Sequence, residues 1–159
     1  MAHTTFEQDI FVNASPETAR AFLAAMKNHP KIHPLIVAIE ALDPMTAPDG
    51  TPVQRYHIRD RMRLGPFTIA FTYLATLRTG TLGELIFEAF QFPRIRLFNT
   101  TCCLPEERGT RVKEEVKIEA PRLLMGTVLR QARQSHQEML ANLKQQLEEA
   151  QGAASAPAS

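Results

Sequence analysis

The stretch "RVKEEVKIEAPRLLMGTVLRQARQSHQEMLANLKQQLEE", Arg111–Glu149, changes its period halfway. Before Pro121 it alternates: Val112, Glu114, Val116 and Ile118 share one side of a strand, and charged residues fill the other. After Pro121 the repeat becomes helical. Met125, Val128, Leu129, Ala132, His136, Met139, Leu140, Leu143 and Leu147 then fall in a sector about 120° wide. A helix from about Pro121 to Glu149 is roughly 40 Å long at 1.5 Å per residue. A stripe of that length needs a large apolar surface to lie on, and His136 sits in its middle.

The rest of the chain supplies that surface. "TTFEQDIFV" reads as a strand, and "ASPETARAFLAAM" as a helix that Ser15 caps and Pro16 opens. "KNHPKIHPLI" ends this helix with a proline-rich corner and one short further turn. "LIVAIEAL" is a strand, and "DPMTAPDGTP" a turn-rich loop. From Val53 to Glu119 strand follows strand: "VQRYHIRDRMRL", "FTIAFTYLATLR", "LGELIFEAF", "IRLFNTTCCL" and "TRVKEEVKIE". Short Gly- or Pro-containing turns join them, which makes the pairs antiparallel. There is no βαβ rhythm and no internal repeat. The expected class is α+β: a curved antiparallel β-sheet wrapped around a long C-terminal α-helix, with short helices after the first strand. Residues 1–149 form one domain, and 150–159, small and uncharged, are expected to be a disordered tail.

Composition narrows the function. The 159 residues carry a net charge of +1, so the chain as a whole has no bias toward nucleic acid or anionic membrane, although a local patch remains possible. Cys102 and Cys103 are adjacent, and a disulfide between strand neighbours is strained. The acidic start "MAHTTFEQDIFV" lacks the charge and apolar core of a signal peptide, and no apolar run approaches a membrane span. A cytoplasmic protein without an integral membrane segment is expected. No P-loop, nucleophile elbow or G-x-G-x-x-G is present. His29 and His33 are four apart, but Pro30 breaks the helical geometry a metal pair needs, so neither metal nor cofactor is expected. Nothing in the sequence speaks to oligomeric state.

Two segments, "VNASPETARAFLAAMKNHPKIHPLI" (12–36) and "GTRVKEEVKIEAP" (109–121) followed by the terminal helix, resemble the START-like, or SRPBCC, superfamily. The likeness runs from Phe6 to Leu147. It implies a helix-grip fold with a deep apolar cavity between sheet and terminal helix. Members include polyketide cyclases, dehydratases and lipid-transfer domains, and also interaction modules. The superfamily has no shared catalytic motif, so the resemblance transfers no catalytic residue.

Strand alternation nominates the cavity wall. Tyr56, Ile58, Asp60 and Met62 share a face, as do Ile69, Phe71 and Tyr73. Leu97, Asn99, Thr101 and Cys103 turn inward because Arg94 and Arg96 claim the other side. With Glu114, and with Ala132, His136 and Met139 from the helix, this is a mostly apolar set with a few polar groups, the usual make-up of a ligand pocket. The nominated ligand-binding residues are Tyr56, Ile58, Asp60, Met62, Phe71, Tyr73, Asn99, Glu114, Ala132, His136 and Met139. Three readings stay open. The first is binding or transfer of a hydrophobic or amphipathic small molecule, lipid- or polyketide-like. The second is a cyclase/dehydratase-type enzyme with Asp60, Glu114 or His136 moving protons. The third is a protein-interaction module with a collapsed cavity.

Each polar residue also has a plain structural reading: His136 as a satisfied core histidine, the carboxylates as members of buried pairs. If His136 faces a solvated partner, His136→Leu keeps stability and loses ligand affinity. The opposite face of the third strand, with Arg55, His57, Arg59, Arg61 and Arg63, reads first as a solvated sheet exterior and second as a basic stripe for an acidic partner. Nucleic acid is disfavoured by the absence of Trp and of aromatic interleaving along that stripe.

Overall fold

The structure, a computed structural model, describes residues 1–155. Strand β1 (Ala2–Val12) leads into α1 (Pro16–Ala24), a 3₁₀ turn (Met26–Asn28) and the single-turn α2 (His29–Ile32). The strands β2 (Ile36–Thr46), β3 (Pro52–Leu64), β4 (Phe67–Thr79), β5 (Leu85–Gln91), β6 (Ile95–Glu106) and β7 (Gly109–Ala120) follow. Helix α3 (Arg122–Ser155) completes the chain. The seven strands form one sheet in the order β1-β7-β6-β5-β4-β3-β2, every neighbouring pair antiparallel. This is the curved sheet gripping a long terminal helix that the periodicities require.

Local chemistry explains the element ends. The Ser15 side chain accepts from the Thr18 backbone N–H at 3.1 Å and Pro16 opens α1, as the motif predicts. Strand β2 runs past the expected loop start at Asp43 as far as Thr46. It is an edge strand with a register shift between Leu42 and Met45, and an edge with a bulge is where Pro44 fits without losing a ladder bond. Helix α3 likewise continues through Ser155, beyond the expected end at Glu149. Residues 156–159 of the expected tail lie outside the described residues.

The core forms where α3 crosses the inner face. Ala132, Met139, Leu140, Leu143 and Leu147 are buried there, with Met125, Val128 and Leu129 half-buried. On the sheet side, β7 contributes Val112, Val116 and Ile118, all within 1% of full burial. The short helices plug one side: Asn142 Nδ2 of α3 donates to the Ile32 carbonyl at 2.8 Å, which ties α2 to α3. Of the basic face of β3, Arg59, Arg61 and Arg63 are exposed, and His57 faces Glu40 at 3.9 Å across the edge. No helix among the described residues is long and apolar enough to cross a membrane.

The five buried apolar side chains of α3 contribute roughly 1.5–3 kcal/mol each, together comparable to the whole stability of a domain. A chain truncated before Pro121 should therefore lose cooperative thermal unfolding. A sharp melt for that fragment would show that the sheet is stable without its helix.

Candidate functional site

Between the sheet and α3 lies a cavity of about 110 Å³. One water needs about 10–15 Å³ on the same scale, so the space suits several waters or part of an organic molecule. Its wall is mainly apolar: Leu23 from α1, Leu35 just before β2 and Ile36 at its start, Phe71 and Leu77 from β4, Leu85, Phe87 and Ala89 from β5, Leu97 from β6, and Val128, Ala132 and Met139 from α3. Alternation places these side chains. Along β5, Leu85, Phe87, Ala89 and Gln91 all point inward, while Glu88 points outward to Arg96 at 2.6 Å.

The polar groups gather at two places, one centred on β7 and β6 and the other on β3 and β4. At the first, β7 and β6 face the middle of α3. Glu114 is 2% exposed and accepts three hydrogen bonds: from His136 Nδ1 at 3.1 Å and Asn99 Nδ2 at 3.0 Å, and from Gln8 Nε2 at 3.3 Å. Thr101 Oγ1 donates to Asn99 Oδ1 at 3.2 Å and extends the chain. Burial alone would push the Glu114 carboxyl up. The positive charge of His136 and the three donors outweigh it and hold Glu114 below the usual carboxylate range. His136 is wedged edge-on between Phe6 (6.2 Å between centroids) and His33 (5.9 Å).

His33 and His29 complete that end. The Leu35 backbone N–H donates to His33 Nδ1 at 3.3 Å, which leaves the proton of the neutral ring on Nε2. Burial, with the nearby charge of His136, lowers His33 to about 3. His29 Nε2 lies 2.8 Å from the Leu23 carbonyl and its ring stacks on Phe87; burial lowers its pKa as well. Both imidazoles are therefore neutral parts of the wall.

At the second place, Asp60 of β3 meets Tyr73 of β4, whose hydroxyl donates at 3.3 Å. Asp60 is 3% exposed, and burial raises it to about 6 against the pull of the Tyr73 bond. Tyr73 is pushed well above its ordinary value, first by burial and then by the Asp60 charge, and its hydroxyl also meets the Gln91 side chain. Here a carboxyl can hold or release a proton near neutral pH.

Of the eleven residues nominated from sequence, eight line the cavity: Asp60, Phe71, Tyr73, Asn99, Glu114, Ala132, His136 and Met139. Three do not. Ile58 is fully buried in the main core, the Tyr56 hydroxyl turns to Gln54 Oε1 at 2.5 Å, and the Met62 thioether meets the amide of Gln131. Alternation gave their side of the strand but not where the sheet's curvature closes the cavity. Sequence reasoning passed over His29 and His33, weighed only as metal ligands, and the inward row of β5. The β5 row carries the same period-two signal as its neighbours. The histidines carry none, because a proline-rich corner has no period. Cys103, expected inward, packs against the main core, and burial raises its thiol to about 11; both cysteines are free.

Sheet, helix and cavity together define a START/SRPBCC-type helix-grip fold. Solved structures share it. The Zhui aromatase/cyclase from Streptomyces sp. R1128 is 12% identical, with a TM-score of 0.77 over 98% of this chain and 100% of its own. A START superfamily protein from Mycobacterium smegmatis is 15% identical (TM-score 0.69; 94% and 99%). Ara h 8.0201 is also 15% identical (TM-score 0.71; 93% and 99%). At such identities the likeness is one of fold. The sequence matches no family model and no curated protein.

The two carboxyls give opposite pH signatures. The folded pKa of Asp60 lies above its ordinary value, so its ionised form weakens the fold. That penalty is complete above about pH 6 and gone below the ordinary carboxylate value. Asp60→Asn should therefore raise stability at about pH 7.5, by about 1–3 kcal/mol, and the gain should vanish near pH 4. Melting curves at both pH values check this; a loss of stability at the higher pH would contradict it. Glu114, His29 and His33, all lowered, work the other way, and their stabilisation fades on acidification.

The expectation that His136→Leu spares stability needs correction, because its partner Glu114 is buried rather than solvated. Removing the imidazole strands a carboxylate, and the substitution should cost about 3 kcal/mol in denaturant unfolding. An unchanged midpoint would mean that Asn99 and Gln8 suffice for Glu114.

Proposed function

We propose that this chain binds a small amphipathic molecule in the cavity between sheet and α3. One observation carries the reading: a largely apolar space with hydrogen-bonding groups at two places, Glu114–His136 and Asp60–Tyr73. That is the make-up of a site that buries a hydrophobic body and orients it by a few polar contacts. Glu114 already accepts from His136, Asn99 and Gln8, and burial keeps His33 and His29 uncharged, so the wall offers hydrogen-bonding groups that suit hydroxyls or carbonyls. A lipid- or polyketide-like compound fits this description.

A second reading has its own support. Asp60, poised near pH 6 beside the Tyr73 hydroxyl, has the proton affinity of a general acid or base, and an aromatase/cyclase shares the fold. In this reading the same cavity turns over a polyketide-like substrate. Incubation with a polyketide-like substrate separates the two: an enzyme converts it and loses that turnover in Asp60→Asn, whereas a binding protein converts none.

The binding reading is tested by titration with a naphthalene-type fluorescent dye. Ala132 is the smallest α3 side chain on the wall. Ala132→Trp should fill the space and weaken saturable dye binding at least roughly tenfold, since the loss of apolar contact area exceeds about 1.4 kcal/mol. Unchanged affinity in a variant that melts normally would place dye binding elsewhere and overturn the assignment.

A further inference from the structure

The net charge of +1 conceals an uneven distribution. Because every neighbouring pair of strands is antiparallel, β3, β5 and β7 end where β2, β4, β6 and α3 begin. That end of the molecule carries the β3–β4 hairpin, the β5–β6 turn and the first turn of α3. Each presents a large apolar side chain to solvent: Phe67 is 71% exposed, Phe92 94% and Leu123 97%. Exposed arginines flank all three, Arg61 and Arg63 before Phe67, Arg94 after Phe92, and Arg122 before Leu123. None of these four has an ion-pair partner among the described residues. Of the nearest acids by register, Asp60 is buried, and Glu119 lies against His3 at 3.6 Å and forms no ion pair with any of the four. The opposite end, with the β4–β5 and β6–β7 turns and the end of α3, is mixed: Glu84, Glu106, Glu107 and Glu149 lie there with Arg78, Arg108 and Arg111, the last paired with Glu106 at 2.9 Å.

We propose that this basic, apolar-tipped end docks on an anionic lipid surface, with Phe67, Phe92 and Leu123 entering the headgroup boundary and the four arginines meeting lipid phosphates. Three exposed apolar tips on separate turns of one end cannot pack on one another, and they gain from an apolar medium. Unpaired arginines around them select negative charge and would repel a second copy of the same end. Cavity-lining residues that keep partial exposure, Phe71, Gln91, Val128 and Gln131, belong to the elements that reach this end. Docking would thus set the cavity's own neighbourhood against the bilayer. The inference goes beyond ligand binding and stands whether or not the cavity takes the dye.

The test is co-sedimentation of the full chain with phosphatidylcholine vesicles, with and without phosphatidylglycerol, at low and high salt. Binding should require the anionic lipid and weaken with salt. Neutralising two arginines, Arg63→Gln with Arg122→Gln, should weaken it roughly 30-fold, about fivefold for each charge. Phe67→Ser with Leu123→Ser should weaken it at least roughly tenfold. All four positions are exposed, so melting temperatures should stay at the wild-type value. The proposal is overturned if the chain does not sediment with anionic vesicles, if it binds both vesicle types equally, or if both double variants bind as wild type. Concentration-dependent dimerisation that Phe67→Ser with Leu123→Ser abolishes would reassign the surface to a second copy and also overturn it.

Discussion

The buried contact between Glu114 and His136 joins the two halves of this fold. A carboxylate at 2% exposure is tolerated only when the groups around it repay its lost hydration. Here the repayment comes from three elements: His136 of α3, Asn99 of β6 and Gln8 of β1. Apolar contacts along α3 would accept a helix shifted by a turn, since Met, Leu and Val substitute for one another at modest cost. A hydrogen-bonded carboxylate accepts no such shift. The pair therefore fixes the axial position of α3 on the sheet, and with it where the cavity opens between Ala132 and Met139.

The same pair governs the chemistry of the space. It holds Glu114 below the usual carboxylate range and leaves Asp60, on β3, as the carboxyl that responds to pH near neutrality. One acid is held ionised by donors and the other is lifted by burial, so two like residues in one cavity acquire different protonation behaviour. In the proposed binding role, that asymmetry would orient a bound molecule at one place and exchange a proton at the other.

Much of this was legible in the sequence, for identifiable reasons. The change from period two to period 3.6 at Pro121 gives the helix grip, and a carboxylate on the inner face of β7 with a histidine in the helix stripe gives the polar centre. Five cavity residues follow from strand alternation and three from the helical stripe. What was not legible depends on curvature and on irregular backbone. Tyr56, Ile58 and Met62 lie on the expected side of β3 yet outside the cavity, because a flat pattern does not report where a sheet bends. His29 and His33 reach the wall through a 3₁₀ turn and a single helical turn, where no repeat exists to read. The condition on which His136→Leu would spare stability fails for a related reason: the pairing of Glu114 and His136 was legible as a possibility, but the depth at which it is buried was not.

The measurement that bears most directly on this account is a double-mutant cycle on that contact by denaturant unfolding. Glu114→Gln keeps an acceptor for Asn99 but removes the charge. If the buried carboxylate is what makes His136 necessary, His136→Leu should cost at least about 2 kcal/mol less in the Glu114→Gln background than in the wild type. Equal costs in the two backgrounds, within about 0.5 kcal/mol, would mean that the two side chains act independently and that apolar packing alone sets the position of α3.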